Sequence, residues 1–218
     1  MPVLTLAGQT VHLLAQKAIF LPARRTLVLA DTHFGKSATF RARGLPVPEG
    51  DTFADLTRMA DLIEATGAEH LIVAGDLLHS PDGNSPAVLA PLHAWIRSSP
   101  ARFTLVCGNH DTRAGGLPAA WKIAAHASLD LDGLLIVHKP TDVPPGQPAI
   151  AGHLHPTVHL NDGNRTSLRL PVFWLNGQTL VLPAFGSLTG GQQIHPGPDD
   201  RLFTPIRATV TEIPLRLL

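Results

Sequence analysis

Five short stretches place metal-capable side chains directly after apolar runs. ADTHFGK carries Asp31 and His33, AGDLLHS carries Asp76, CGNHD carries Asn109, His110 and Asp111, IVHKP carries His138, and AGHLHP carries His153 and His155. Carboxylate oxygens, imidazole nitrogens and an amide oxygen together suit two borderline-hard divalent cations such as Mn²⁺, Fe²⁺ or Zn²⁺. Asp76 stands alone at its strand end, which makes it the natural carboxylate to bridge both ions. Residues two apart on an extended chain point the same way. Asp31 with His33, and His153 with His155, can therefore act as pairs if those segments stay extended. Glycines at 75, 108 and 152 let the backbone turn tightly beside the ions. The chain holds twelve histidines and no tyrosine, a bias that fits metal chemistry.

The elements that must position these residues are legible as apolar periodicity. Val3–Leu6, Val11–Leu14 and Ala18–Leu21 read as short strands. TLVLAD (26–31), HLIVAGD (70–76), RFTLVCGN (102–109), GLLIVH (133–138) and PAIAGH (148–153) read as strands covered on both faces. Between them, residues 51–66 have helical spacing, with Phe53, Leu56, Met59, Ala60 and Ile63 on one face and Asp51 or Thr52 as N-cap. Residues 85–98 form a second helix. Ser85 is its N-cap, Pro86 its first position, and Val88, Leu89, Leu92, Trp95 and Ile96 its buried stripe. Strand, helix, strand, helix, strand predicts a parallel or mixed sheet with crossover helices. The second half reads as more strands, at Phe173–Leu175, Thr179–Leu182 and Ala208–Ile213, with the Pro- and Gly-rich stretches 139–149 and 186–200 the most mobile by composition. In open α/β sheets, sites gather where the carboxyl ends of strands open a crevice, and all five ligand-bearing ends would converge there.

The 218 residues, 44% of them apolar, are expected to form a single domain over 1–218. Formal net charge is zero, so binding to a polyanion must come from a local basic patch. The single cysteine, Cys107, excludes an intramolecular disulfide and reads as a small buried thiol. No leader-like segment and no apolar run of membrane-spanning length is present, so a cytoplasmic protein is expected.

The order D-x-H, G-D, G-N-H-D, H, G-H-x-H resembles the calcineurin-like metallophosphoesterase superfamily across roughly residues 26 to 190. The resemblance implies an α/β fold of four layers, an α-β-β-α sandwich of two mixed sheets packed face to face with helices outside. It also implies a binuclear centre in which Asp31, His33, Asp76 and His155 hold one metal and Asp76, Asn109, His138 and His153 the other. His110 would then face the scissile phosphate and stabilise or protonate the leaving oxygen, with Asp111 holding its ring. FRARGLPVPEG, LRLPVFWL and LVLPAFGSLTGG, outside the ligands, are similar to the bacterial ligase-associated DNA damage response endonuclease family. That likeness implies a manganese-favouring phosphodiesterase acting on DNA, mainly single-stranded or unpaired. It further implies association in repair with an ATP-dependent DNA ligase, a helicase and an exonuclease.

DNA requires phosphate contacts. Lys36, Arg41 and Arg43 follow the first motif, Arg113 follows GNHD, and Lys139 follows His138, so these five are the expected nucleic-acid contacts. Solvation or pairing with local acids is the plain alternative for each. Phe34 and Phe40 could stack on bases or belong to the core. His79 and His126 have no assigned role. Two other functions share these features: a phosphoesterase for nucleotides or other small esters, and a catalytically silent binding scaffold. Every ligand position is filled, which speaks against the scaffold.

Overall fold

In the computed structural model, which describes residues 1–161 and 167–218, the expected alternation organises two large sheets. Strands β1 (Val3–Leu6), β2 (Gln9–Leu14), β3 (Ala18–Leu21), β4 (Thr26–Leu29), β5 (His70–Ala74), β6 (Arg102–Val106) and β7 (Ala124–His126) form the first, in chain order. Its first four strands are antiparallel neighbours, and β4 to β7 run parallel. The crossovers between β4, β5 and β6 carry α1 (Lys36–Ala42), α2 (Asp51–Thr66) and α3 (Pro86–Ser98). A single helical turn, α4 (Asn109–Arg113), follows β6.

The second sheet draws on β8 (Leu129–Leu131), β9 (Leu134–Ile136), β10 (Ala149–Ala151), β13 (Phe173–Asn176), β14 (Thr179–Val181), β16 (Arg201–Ile206) and β17 (Thr209–Ile213). Its order is β17-β16-β13-β14-β10-β9-β8, and it too is mixed. A small third sheet contains β11 (Pro156–Asn161), β12 (Ser167–Pro171) and β15 (Gln192–Gln193).

Period-two alternation assigns the core layers. On β4, β5 and β6, Leu27, Leu29, Leu71, Val73 and Leu105 face α2 and α3, where Leu56, Met59, Leu62, Ile63 and Leu92 meet them. The alternate residues Val28, Ala30, Ile72, Ala74 and Val106 face the second sheet and pack on Ile150, Leu180, Phe173 and Phe203. Leu202, Trp174 and Ile213 turn outward from the second sheet and are covered by Val158, Val172 and Ile194.

The α2 stripe differs from expectation. Leu62 is buried, whereas Phe53 is 74% exposed and Ala60 is also outside the core. At about 100° per residue the buried arc centres on Met59, and both residues lie beyond its edge. Gly50, not Asp51 or Thr52, is the N-cap; Asp51 instead accepts a hydrogen bond from the Ser37 hydroxyl (2.5 Å). Phe34 is core. Cys107 is exposed rather than buried, because it follows the last β6 residue at the sheet's rim; partial desolvation of the sulfur and the nearby Asp111 charge push its thiol pKa up. No helix among the described residues is long and apolar enough to cross a membrane.

Candidate metal centre

The first sheet delivers Asp31, His33, Asp76 and Asn109 from the ends of β4, β5 and β6, and the second delivers His138, His153 and His155 from the ends of β9 and β10. Backbone N–H groups fix these ends, two bonds within the first sheet and one across to the second. The Asp31 and His33 N–H groups donate to Gly75 O (3.0 Å) and Asp76 O (2.9 Å), and the His153 N–H donates to Asp31 Oδ2 (2.9 Å). Gly75, at φ +90°, is needed here: a Cβ on it would stand 1.9 Å from His138 Nδ1. A Cβ on Gly108 would lie 2.1 Å from Asp76 Oδ1.

The ligand segments are not extended, as the pairing argument had required. Asp31, His33, Asp76, His153 and His155 all have left-handed backbone, with φ of 56°, 49°, 53°, 72° and 47°. Such conformations cost non-glycine residues on the order of 1–3 kcal/mol each and persist only where surrounding contacts impose them. Here the imposed bends aim consecutive side chains inward.

Two groups of donors result. Asp31, His33 and His155 offer ligand atoms within 4.8 Å of one another, and so do Asp76, His138 and His153. In the first, His33 Nε2 lies 3.3 Å from His155 Nε2, which lies 3.3 Å from Asp31 Oδ1. In the second, His138 Nε2 is 3.1 Å from both Asn109 Oδ1 and His153 Nδ1. Asp76 Oδ2 joins the groups, 3.8 Å from His33 Nε2 and 3.4 Å from His138 Nε2. Asp31 Oδ1 is fully buried with no hydrogen-bond partner, and the Nε2 atoms of His33 and His155 stand 3.3 Å apart beside it. A buried carboxylate oxygen without a donor is expensive; a divalent cation among these atoms would satisfy it, so the residues fit such ions.

The electrostatics agree. Burial, only partly offset by Asp76, pushes the His33 pKa down to about 2, which keeps the imidazole neutral. Burial would raise the Asp76 carboxyl, but the hydrogen bond and charge of His138, the His110 N–H and His33 hold it at about 2. His138 is raised despite its burial, because Asp76 and Asp31 draw positive charge towards it. Its Nδ1–H donates to Ala74 O (3.1 Å), which turns Nε2 towards the other donors.

His110 stands beside the first group, its ring perpendicular to His33 at 4.8 Å between centroids. Its Nδ1–H donates to His79 O (2.7 Å), so Nε2 is the free nitrogen. Asp111 does not hold this ring. Its two oxygens accept from the Leu78 and Gly108 N–H groups, both at 2.9 Å, so it pins the turns after β5 and β6 that carry Asp76 and Asn109. Asp111→Ala leaves two buried N–H groups unpaired and is expected to lower stability by about 3 kcal/mol. Denaturant titration checks this, and a loss under 1 kcal/mol would restore a purely catalytic role. His79, which sequence reasoning left open, stacks on His110 at 5.0 Å and brings Nδ1 to 3.3 Å from His33 Nδ1. Only its position after the second motif could have marked it. His126 is exposed on β7, and its carbonyl accepts the Cys107 N–H.

The expected nucleic-acid contacts divide. Arg113 and Lys139 line one groove with Asn109 and His138. Lys36 is half-buried and feels the Asp31 charge. Arg41 and Arg43 are instead committed to protein partners: Arg41 to Val47 O, Pro48 O and Glu49, because the α1–α2 loop folds back over it, and Arg43 to Asp82 (3.0 Å) in the turn before α3.

The calcineurin-like phosphoesterase profile matches residues 24–200. Among solved structures, a Pseudomonas putida protein, "nuclease MPE", is 37% identical over 97% of this chain and 99% of its own, with a TM-score of 0.83. The E. coli phosphoesterase Yfce (16% identity, 86% and 97% coverage, TM-score 0.42) and the Aquifex aeolicus protein AQ665, of unknown function (19%, 63% and 80%, 0.41), are more distant. No curated protein sequence matches the chain.

Proposed function

The chain belongs to the calcineurin-like phosphoesterase family, and on that footing we propose that it is a binuclear-metal DNA endonuclease acting in ligase-associated repair. The observation that carries the hydrolytic reading is the Asp76 carboxylate, set between two complete groups of donors. The whole-length likeness to the Pseudomonas putida nuclease supports nucleic acid as substrate. The DNA preference, the cytoplasmic setting and the ligase, helicase and exonuclease association rest on the motif resemblance.

In this reading Asp31, His33 and His155 would hold one cation, Asn109, His138 and His153 the other, and Asp76 would serve both. The mixed oxygen and nitrogen donors suit Mn²⁺, Fe²⁺ or Zn²⁺, and the preference for Mn²⁺ rests on the motif resemblance. Such ions supply Lewis-acid charge that activates water and offsets the negative charge developing on the phosphoryl oxygens. The chain's own residues do the rest. His110, oriented through His79 O, holds a proton at Nε2 for the departing nucleoside oxygen. Arg113 and Lys139 draw the strand towards Asn109 and His138.

Purified protein supplied with Mn²⁺ is expected to nick single-stranded circular DNA, to act more slowly on duplex, and to stop on addition of EDTA. Hydrolysis of a nucleotide panel without cleavage of DNA would replace this reading with a small-ester phosphoesterase.

A further inference from the structure

The groove beside Asn109 and His138 serves one end of the centre. At the other end, beside His155, lies a second cleft of about 220 Å³ that the reaction as described does not use. Its walls come from the β2–β3 turn, the start of β11, β12 and the loop ending in Gly190 and Gly191. Two cations line it, Lys17 and Arg169, and among the described residues none of its lining is acidic. By contrast, Asp142 lines the groove at the opposite end.

Both cations are held in place. Lys17 has left-handed backbone (φ 65°), and its ammonium donates to Ala184 O (2.9 Å), leaving two N–H donors uncommitted by that bond. Arg169 is exposed and uses Nε on the Thr157 hydroxyl (3.3 Å). A Cβ on Gly191 would strike His155 O at 2.5 Å and lie 3.6 Å from Arg169 Nη2. Any larger residue there would push on the metal-ligand segment and crowd the guanidinium. Burial and the nearby Arg58 bring the Lys17 pKa down to about 8, against the pull of Asp55, so this is a position where an arriving anion gains more than it would in bulk water.

We infer that this cleft is a phosphate subsite, in which Lys17 and Arg169 bind a non-scissile phosphodiester of the same strand, on the His155 side of the cleaved bond. The inference rests on the DNA reading above and deepens it: one strand crosses the centre, clamped by Arg113 and Lys139 at one end and by Lys17 and Arg169 at the other. A planar guanidinium and an ammonium suit a backbone phosphate and carry no sequence information. Cleavage is therefore governed by backbone length on both flanks rather than by base identity.

The test is initial-rate cleavage of a labelled oligothymidylate by the metal-loaded full chain at a series of sodium chloride concentrations. Arg169→Gln is expected to raise KM several-fold, with the effect on KM rather than kcat. It should also flatten the plot of log KM against log salt by about 0.7, the share of one single-strand phosphate contact. Arg169→Lys should recover most of the salt slope. Lys17→Gln should act in the same direction, and Arg169→Gln carries the test alone if loss of the Ala184 contact impairs folding. Wild-type slope and KM in the Arg169→Gln protein would overturn the subsite while leaving the nuclease reading intact. A wild-type protein that hydrolyses a chromogenic diester but not the oligonucleotide would defeat the DNA reading, and the subsite with it.

Discussion

The Asp76→Ala protein will lose at least one equivalent of bound metal, and its hydrolytic rate will fall well beyond the ~10–100-fold typical of disturbing a residue behind the ligands. The reason is geometric. Asp76 Oδ2 is the atom that faces both His33 and His138, so its removal opens both donor groups at once. The other oxygen, Oδ1, accepts the His110 N–H (2.8 Å), so alanine also frees the first turn of α4. Asp76→Asn separates the two effects: it keeps the shape and an acceptor for that N–H while removing the charge. Plasma emission spectrometry on dialysed protein counts the metal, and a chromogenic diester reads the rate. Two tightly held equivalents in Asp76→Ala would exclude a bridging ligand.

His110→Ala should behave in the opposite way. Metal content stays at the wild-type level, because His110 lies beside the donor groups and the seven proposed ligands remain. Turnover falls by about 10²–10⁴-fold on diesters whose leaving group needs a proton, the range for losing a general acid. On p-nitrophenyl esters, whose leaving group departs unaided, the loss should be much smaller. A plot of log kcat against leaving-group pKa is therefore expected to steepen in the variant. Equal losses across the series would remove His110 from proton transfer, and a drop in metal content would make it a ligand alongside His33 and His79, with which it also forms a close triplet.

The seven proposed ligands were legible because the chemistry demands particular side chains at the carboxyl ends of apolar strands, and both features are written in residue types. What escaped the sequence was written in the backbone. Asp31 and His33 were expected to pair through extended chain; left-handed bends aim them instead, and L-residues in that region carry no compositional mark. Asp111 was assigned to the His110 ring, but its partners are the N–H groups of Leu78 and Gly108, which every residue type possesses. Helix α1 passed unseen because its buried residues are Ser37 and Thr39, so apolar periodicity has nothing to register. Phe53 misled in the other direction, an aromatic ring at helical spacing that stands in solvent. Arg41 and Arg43 show the limit for charge: sequence counts cations but not their occupation by Glu49 and Asp82.

The centre is assembled from both halves of the chain, His33 and His155 meeting at 3.3 Å although 122 positions separate them. A growing polypeptide still short of its second sheet has four of the donors, Asp31, His33, Asp76 and Asn109, too few to cage a pair of ions. Metallation is therefore a late event, available only after the most distant pairings have closed. Uptake of the second ion during refolding would accordingly serve as a clock for the last docking step, and a chain truncated before β8 should fail to bind the pair.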